Sequence, residues 1–386
     1  MKKLGICVCY QHRNYGSQLQ SYATTAELEK RGIDYEIIRY QKKITPAFVV
    51  KALPRLMNPV FISDRVKIRY KKNIMLKTHP QLAKDNAVRN ACLAEFSKKH
   101  FKKLSPVYHG YDELQKQSQR YDAVMVGSDQ LWAPGGITSD FYNLMFAPQG
   151  VRRLSYAASF GVSQIEPKLH AKYKDFLSRM DDISVRENSG KRLVEELSGQ
   201  TAEVVVDPVL LLSAEDWLRE IPNKNRYDKP YIFAYLLGPS AKYREAITRF
   251  AEEKGLPIVT SHHMDTYNTA DEGFGDEAPF DVGPAEFVNF IRNAEYVFTD
   301  SFHGSVFSML YRKPLLIFDR YEAGTLTSKN GRIDSFCENY GLNDRRYNGD
   351  IFAVEHQTDY DAALQKAQAH IERSKAFLDR ALGDFI

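Results

Sequence analysis

The segment Thr299-Asp300-Ser301-Phe302-His303-Gly304 gathers an imidazole, a carboxylate and two hydroxyls into one tight turn. An apolar run at 296–298 precedes it, a helical stretch ending near Arg312 follows, and a second apolar run at 315–318 comes after Pro314. Strand, helix and strand in that order make a βαβ unit, with the polar residues in its first turn. Open α/β sheets bind ligands at the carboxyl ends of their strands, and the first N–H groups of a helix attract anions. His303 is therefore placed to meet an anionic substrate and to exchange a proton with it near neutral pH. The alternative is a turn capped by Ser301 or Asp300, with His303 an incidental surface residue.

Four further turns have the same character. Asn14-Tyr15-Gly16-Ser17 opens a helix whose N–H groups and Ser17 hydroxyl suit an oxyanion, or else it is an ordinary N-capped turn. Behind the apolar run 123–126 stand Ser128 and Asp129, then Trp132, whose face could stack a sugar ring or fill a gap in the core. Ala158-Ser159-Phe160-Gly161 follows the run 154–157. Arg186-Glu187 follows the run 183–185. An arginine there can grip a carboxylate or phosphate through two parallel hydrogen bonds, unless the two residues form a surface ion pair. Asp207-Pro208, after 204–206, reads as structural.

These turns need a frame that presents them together. Apolar runs at 4–9, 35–39, 123–126, 154–157, 183–185 and 204–206, then at 231–236, 257–260, 296–298 and 315–318, alternate with helical stretches. Such alternation predicts α/β architecture, with parallel sheets covered by helices on both faces. The polar, proline-bounded stretch 221–230 reads as a linker, so an N-terminal α/β domain over 1–213 is followed by a second over 214–355. The segment 356–386 reads as a helix packing back across a domain face. A loop rich in Gly and Asp at 263–283 has the length of a lid or binding loop. The reactive turns all sit at the same ends of strands, so the two Rossmann-like halves should face each other across a basic cleft.

Composition narrows the class. A chain of 386 residues suits two domains, and 43% hydrophobic residues with 12% aromatics is ample for their cores. No apolar run is long enough to span a membrane. The N-terminus lacks the apolar region and cleavage site of a signal peptide, and is expected to be the first strand of a cytoplasmic protein. Cys7, Cys9, Cys92 and Cys337 make no disulfide framework, and no cluster has zinc spacing, so no metal is expected. The net charge of +4 hides an imbalance. Residues 41–120, expected to form a helical basic insertion in the first domain, carry eighteen Lys/Arg against five Asp/Glu. Such a block fits phosphates, anionic lipid headgroups or nucleic acid, or is a solvated face. Without an accompanying nucleic-acid-binding pattern, nucleic acid is the weakest of these and is not expected as a partner.

Taken in order, Asn14-Tyr15-Gly16-Ser17 with Leu19-Gln20, then Gly127-Ser128-Asp129-Gln130 with Trp132, Ser155-Tyr156-Ala157-Ala158-Ser159-Phe160-Gly161, Ile183-Ser184-Val185-Arg186-Glu187, Val206-Asp207-Pro208 and the turn 299–304 resemble the polysaccharide pyruvyl transferase family. The resemblance implies a glycosyltransferase-B-like fold. It also implies transfer of pyruvate from phosphoenolpyruvate, with no other cofactor, onto a sugar as a ketal. The acceptor would be a surface polysaccharide or its lipid-linked precursor. Arg186 and His303 fall on the family's donor-binding positions. Relatives often carry arginine two residues before that histidine, whereas this chain has Ser301; Lys329 or Arg332 is expected to supply the missing contact.

On this reading His303 is the general acid and Asp129 or Asp300 takes the hydroxyl proton. Asn14, Gly16, Ser17, Ser128, Trp132, Ser301 and Gly304 would line the substrates. Replacing His303 or Arg186 by alanine should abolish turnover with the fold intact. The rivals are a nucleotide-sugar-dependent glycosyltransferase of the same fold, slightly favoured by Ser301, and a non-catalytic binding subunit of a polysaccharide pathway. The basic block is expected to hold the protein peripherally to an anionic membrane.

Overall fold

The computed structural model describes residues 2–43, 78–137, 140–262, 267–320 and 331–385. Its first sheet is organised around two short strands, β1 (Leu4–Cys7) and β4 (Ala123–Val126), every residue of which is buried. Uninterrupted apolar runs of this kind belong to parallel strands covered on both faces. Between them the chain forms α1 (Tyr15–Lys30), β2 (Tyr35–Gln41), α2 (Pro80–His100), β3 (Leu104–His109) and α3 (Tyr111–Ser118). After β4 come β5 (Arg152–Ala158), α4 (Pro167–Leu177), β6 (Asp182–Val185), α5 (Asn188–Ser198) and β7 (Glu203–Val204). The seven strands run parallel in the order β3-β2-β1-β4-β5-β6-β7. The winding direction reverses between β1 and β4. The turns after these two strands therefore splay apart and leave a crevice.

A short helix, α6 (Ala214–Glu220), leads into the second domain. There β8 (Ile232–Tyr235), α7 (Ala241–Lys254), β9 (Ile258–Thr260), α8 (Pro284–Asn293), β10 (Tyr296–Thr299), α9 (Phe302–Leu310) and β11 (Leu315–Ile317) build a parallel sheet of order β11-β10-β8-β9. Its winding reverses between β8 and β10. Then come α10 (Gly331–Tyr340) and the long α11 (Tyr360–Leu382). The last helix clamps both halves. At its start the Tyr360 hydroxyl donates to the Lys313 carbonyl of the second domain. Further on, Ser374 Oγ accepts from Val206 N at 2.9 Å, and Arg152 donates to the Ala381 carbonyl at 3.1 Å, both in the first domain. One apolar cluster runs from Leu4 and Leu19 through to Val297 and Leu315, so the junction is itself core.

Two expectations change in detail. Within the basic stretch, residues 44–77 lie outside the described residues, and 78–120 is only partly helical. Its segment Leu104–His109 is the edge strand of the first sheet. Pro106 disguised it, because proline suits only an edge or a bulge. The β2–β3 register shifts beside it, and the Ser105 hydroxyl accepts from Arg39 N at 2.9 Å. In the loop 263–283, residues 263–266 lie outside the described residues, Tyr267 stacks on His79 of the first domain at 4.0 Å, and residues 271–277 pack on their own domain. Asp271 pairs with buried Arg244 at 2.8 Å, Phe274 is buried, and Glu277 O accepts from Thr260 N at 2.8 Å.

Candidate active site

At the crevice of the first sheet, Asn14 caps α1, its Oδ1 accepting from Ser17 N at 3.1 Å. That N–H closes the turn rather than waiting for an oxyanion. The Ser17 hydroxyl instead reaches across the switch point and donates to the Asp129 carboxylate. Asp129 holds φ at 88°, a left-handed conformation that a non-glycine residue adopts at an energetic cost and that concentrates at functional sites. The peptide N–H of Gln130 bonds its Oδ1 at 2.8 Å.

Arg186, at the end of β6, is the hub. Its Nη1 lies 2.6 Å from Asp207 Oδ2, an oxygen that also accepts from Ser128 Oγ at 3.0 Å. Its Nη2 is 3.7 Å from Asp129 Oδ1 and its Nε 3.8 Å from Glu187 Oε2. The guanidinium stands 4.6 Å over the ring of Phe302, the first residue of α9, and so ties the second domain to the first. A surface Arg186–Glu187 pair is ruled out, since the residues are 5% and 1% exposed.

Burial sets the acidities against one another. It opposes ionisation of Asp129, yet Arg186, His303 and the Ser17 hydrogen bond outweigh it and bring the carboxyl to about 2. Asp207 behaves alike: burial is overcome by His303 and Arg186, and the group sits well below the ordinary range. For Glu187 burial prevails over the pull of Arg186, and its value rises. Asp207 was missed as a site residue although it too follows directly on an apolar run. That position was the available signal. Glu187 was hidden behind the ion-pair reading.

His303 enters from the second domain. Ser301 caps α9 by accepting from Gly304 N at 3.3 Å, which sets the histidine in the first turn. The ring is 6% exposed, with Nε2 3.6 Å from Asp207 Oδ2, and that nitrogen makes no hydrogen bond among the described residues. On its other side it presses against Gly16, where an added Cβ would lie 2.0 Å from Nδ1 and 2.4 Å from Cγ. Two helix starts, one from each domain, meet at this contact. Gly16→Ala should push the imidazole off its place, and a displacement of an ångström can reduce turnover by roughly 10²-fold. Steady-state kinetics beside a melting curve would show it; an alanine variant with unchanged kcat would contradict the contact.

Other expected residues have different tasks. Asp300 accepts from Leu237 N at 2.8 Å and Gly238 N at 2.6 Å, pinning the switch point of the second sheet, so it is not a free base. Gly304 gives its N–H to Ser301, and an added Cβ would sit 2.8 Å from Thr299 Oγ1; it serves packing, not an anion. Trp132 cannot stack a sugar. It is 0% exposed, its Nε1 donates to Tyr142 O at 3.0 Å, and its ring meets Phe160 and Phe176 edge to face. Lys329 lies outside the described residues. Arg332, in the first turn of α10, does join the cluster. With the Gln130 amide assigned by its hydrogen bonds, the amide oxygen accepts from Arg332 Nη1, Nε and Nη2 at 3.2, 3.1 and 2.5 Å. Burial first, then the charges of Arg186 and Arg320, depress the Arg332 guanidinium to about 10.

The structure thus brings Ser17, Ser128, Asp129, Arg186, His303 and Arg332 together and adds Asp207 and Glu187. The sequence signature of the family described as polysaccharide pyruvyl transferase matches residues 14–321, from the Asn14 cap through both crevices. The chain belongs to that family. It is accordingly a transferase with a pyruvyl transfer role on polysaccharide. No curated protein matches the chain.

Solved structures similar to this pyruvyl transferase include a putative UDP-N-acetylglucosamine 2-epimerase from Listeria monocytogenes, 11% identical, with 100% of this chain and 97% of that one covered at a TM-score of 0.52. A second is the S. aureus MnaA–UDP structure, 13% identical, with 99% and 97% covered at a TM-score of 0.51. At such identities the shared property is the fold, which is of the glycosyltransferase-B type.

Proposed function

We propose that this pyruvyl transferase takes its pyruvyl group from phosphoenolpyruvate and closes it as a ketal on two hydroxyls of a sugar in a surface polysaccharide or its lipid-linked precursor. The observation that carries the reading is the buried Arg186–Asp207–His303 constellation, built from both domains. Phosphoenolpyruvate presents a carboxylate and a phosphate. Arg186 Nε and Nη2 make no hydrogen bond among the described residues. Buried guanidinium donors in that condition suit an anion strongly, and Arg332 stands beside them as a second cation.

Ketal formation needs a proton on the enol carbon, attack by two hydroxyls on the resulting oxocarbenium-like carbon, and departure of phosphate. His303 donates the proton to the enol methylene, which becomes the methyl group. Asp207 remains ionised and steadies the imidazolium before the proton moves. Of the two hydroxyl protons released, one restores His303 and the other leaves with phosphate. Asp129 is too acidic and too engaged to serve as base. Glu187 is better suited: its value is raised, and its Oε2 accepts no hydrogen bond among the described residues. Incubation with phosphoenolpyruvate and a panel of phosphate-linked sugars should release inorganic phosphate; release of nucleotide from a nucleotide sugar instead would assign the chemistry to the rival glycosyltransferase.

No helix of the described residues is long and apolar enough to cross a membrane. In this reading the basic stretch holds the enzyme against an anionic surface where a lipid-linked acceptor waits. Lys84, Lys98, Lys99, Lys102 and Lys103 are exposed. Each basic side chain near an anionic leaflet contributes about 1 kcal/mol, screened over roughly 8 Å at physiological salt. Co-sedimentation with anionic vesicles, lost on neutral vesicles and at high salt, is the expected result. Binding indifferent to lipid charge would contradict it.

A further inference from the structure

Arg89 is a buried charge that the chemistry above does not use. It is 6% exposed, it hydrogen-bonds the Tyr15 side chain, and its Nε makes no hydrogen bond among the described residues. Its guanidinium lies 4.6 Å from the ring centroid of Tyr15, and the Tyr15 hydroxyl is paired with Ser261 Oγ at 3.0 Å. Tyr15 opens α1 in the first domain, whereas Ser261 directly follows β9 in the second. The same tyrosine stacks on Phe287 at 5.0 Å, so its position is fixed from both sides of the junction. Arg89 comes from α2, within the basic stretch, which packs against both α1 and α8.

A guanidinium removed from water without a counter-ion is unfavourable, and an aromatic face offsets only part of that. An arginine fork beside two hydroxyls is a phosphate-binding set. Tyr15 directly precedes Gly16, against which His303 rests. On the reading above, Arg186 and Arg332 meet the two anionic groups of the donor. We propose that Arg89, with the Tyr15 and Ser261 hydroxyls, holds the phosphate through which the acceptor sugar is carried. This rests on the pyruvyl transfer reading for the word acceptor, but not for the phosphate pocket itself.

Calorimetric titration of the full chain with inorganic pyrophosphate, alone and with excess phosphoenolpyruvate, tests the pocket directly. Wild type should bind pyrophosphate in both conditions. Arg89→Gln should weaken that binding about 10- to 100-fold with phosphoenolpyruvate affinity unchanged, and Arg89→Lys should retain part of it. If Arg89→Gln does not fold, Arg89→Lys decides, since loss of the fork should still weaken pyrophosphate several-fold. Unchanged pyrophosphate affinity in the folded variant would overturn the proposal and leave Arg89 a packing residue. Complete displacement of pyrophosphate by phosphoenolpyruvate would overturn it too, by showing a single anion site. A wild type that binds pyrophosphate through Arg89 but not phosphoenolpyruvate would keep the pocket and sink the donor assignment.

Discussion

His303→Ala is expected to lower kcat by about 10²–10⁴-fold while phosphoenolpyruvate still binds. In the proposed mechanism the imidazole transfers the proton at the meeting point of the two helix starts. It faces Asp207 at 3.6 Å on one side and Gly16 on the other. Removing it leaves Asp207 still paired with Arg186 at 2.6 Å, so no buried carboxylate is stranded and the fold should survive. His303→Asn, which keeps polarity but cannot exchange a proton near neutral pH, should lose as much rate as alanine does. Kinetics beside a melting curve checks both. A non-catalytic binding subunit would tolerate either change, and near-normal turnover in a folded His303→Ala protein would remove the general-acid role.

Arg186→Ala should behave quite differently from what the sequence suggests, failing in stability as well as in rate. The guanidinium is the counter-charge for Asp207 and Asp129 and the platform for Phe302. Breaking a buried pair by removing one partner costs about 3–5 kcal/mol, a large part of the roughly 5–15 kcal/mol that holds a domain folded. Arg186→Lys keeps the charge, should fold, and should still bind phosphoenolpyruvate much more weakly for want of the fork.

Acid gives a signature. Asp129 and Asp207 have folded values below their ordinary ones, so their stabilisation is complete above about pH 4 and is lost as pH falls toward about 2. In Arg186→Ala those carboxylates lose their cation and protonate more readily, so the gap in melting temperature between variant and parent should narrow as pH is lowered from 7 to 4. A gap independent of pH would mean that the electrostatic pair is not the source of the stability.

Much of this is legible in the amino-acid sequence itself. Apolar runs alternating with helices located nearly every strand of both sheets, because parallel strands buried on both faces carry little else. The reactive turns were legible for the same reason, since polar residues directly behind such runs must lie at the carboxyl edge. Which of them converge was not. A run of letters offers helix capping as an alternative at the Asn14 and Ser301 turns without deciding it, and it does not reveal that Asp300 is held by two peptide N–H groups. Trp132 and Asp207 exchanged places for a related reason. Facing direction at a strand end depends on the next turn's path, so the tryptophan fell into the core and the aspartate into the site. Pro106 hid an edge strand because proline is read as a break, and only the neighbouring β2 makes it a tolerable one.

The most direct measurement is the isotopic fate of the donor methylene. Turnover in D₂O with phosphoenolpyruvate and a phosphate-linked sugar, followed by nuclear magnetic resonance of the product, reports the bond made at each carbon. Expected is a ketal quaternary carbon bearing a methyl group with one deuteron, delivered from exchanged His303, together with one phosphate per ketal. A product that keeps the vinyl methylene as an enol ether, or that gains a sugar and no methyl carbon, would contradict pyruvyl ketal transfer at this site.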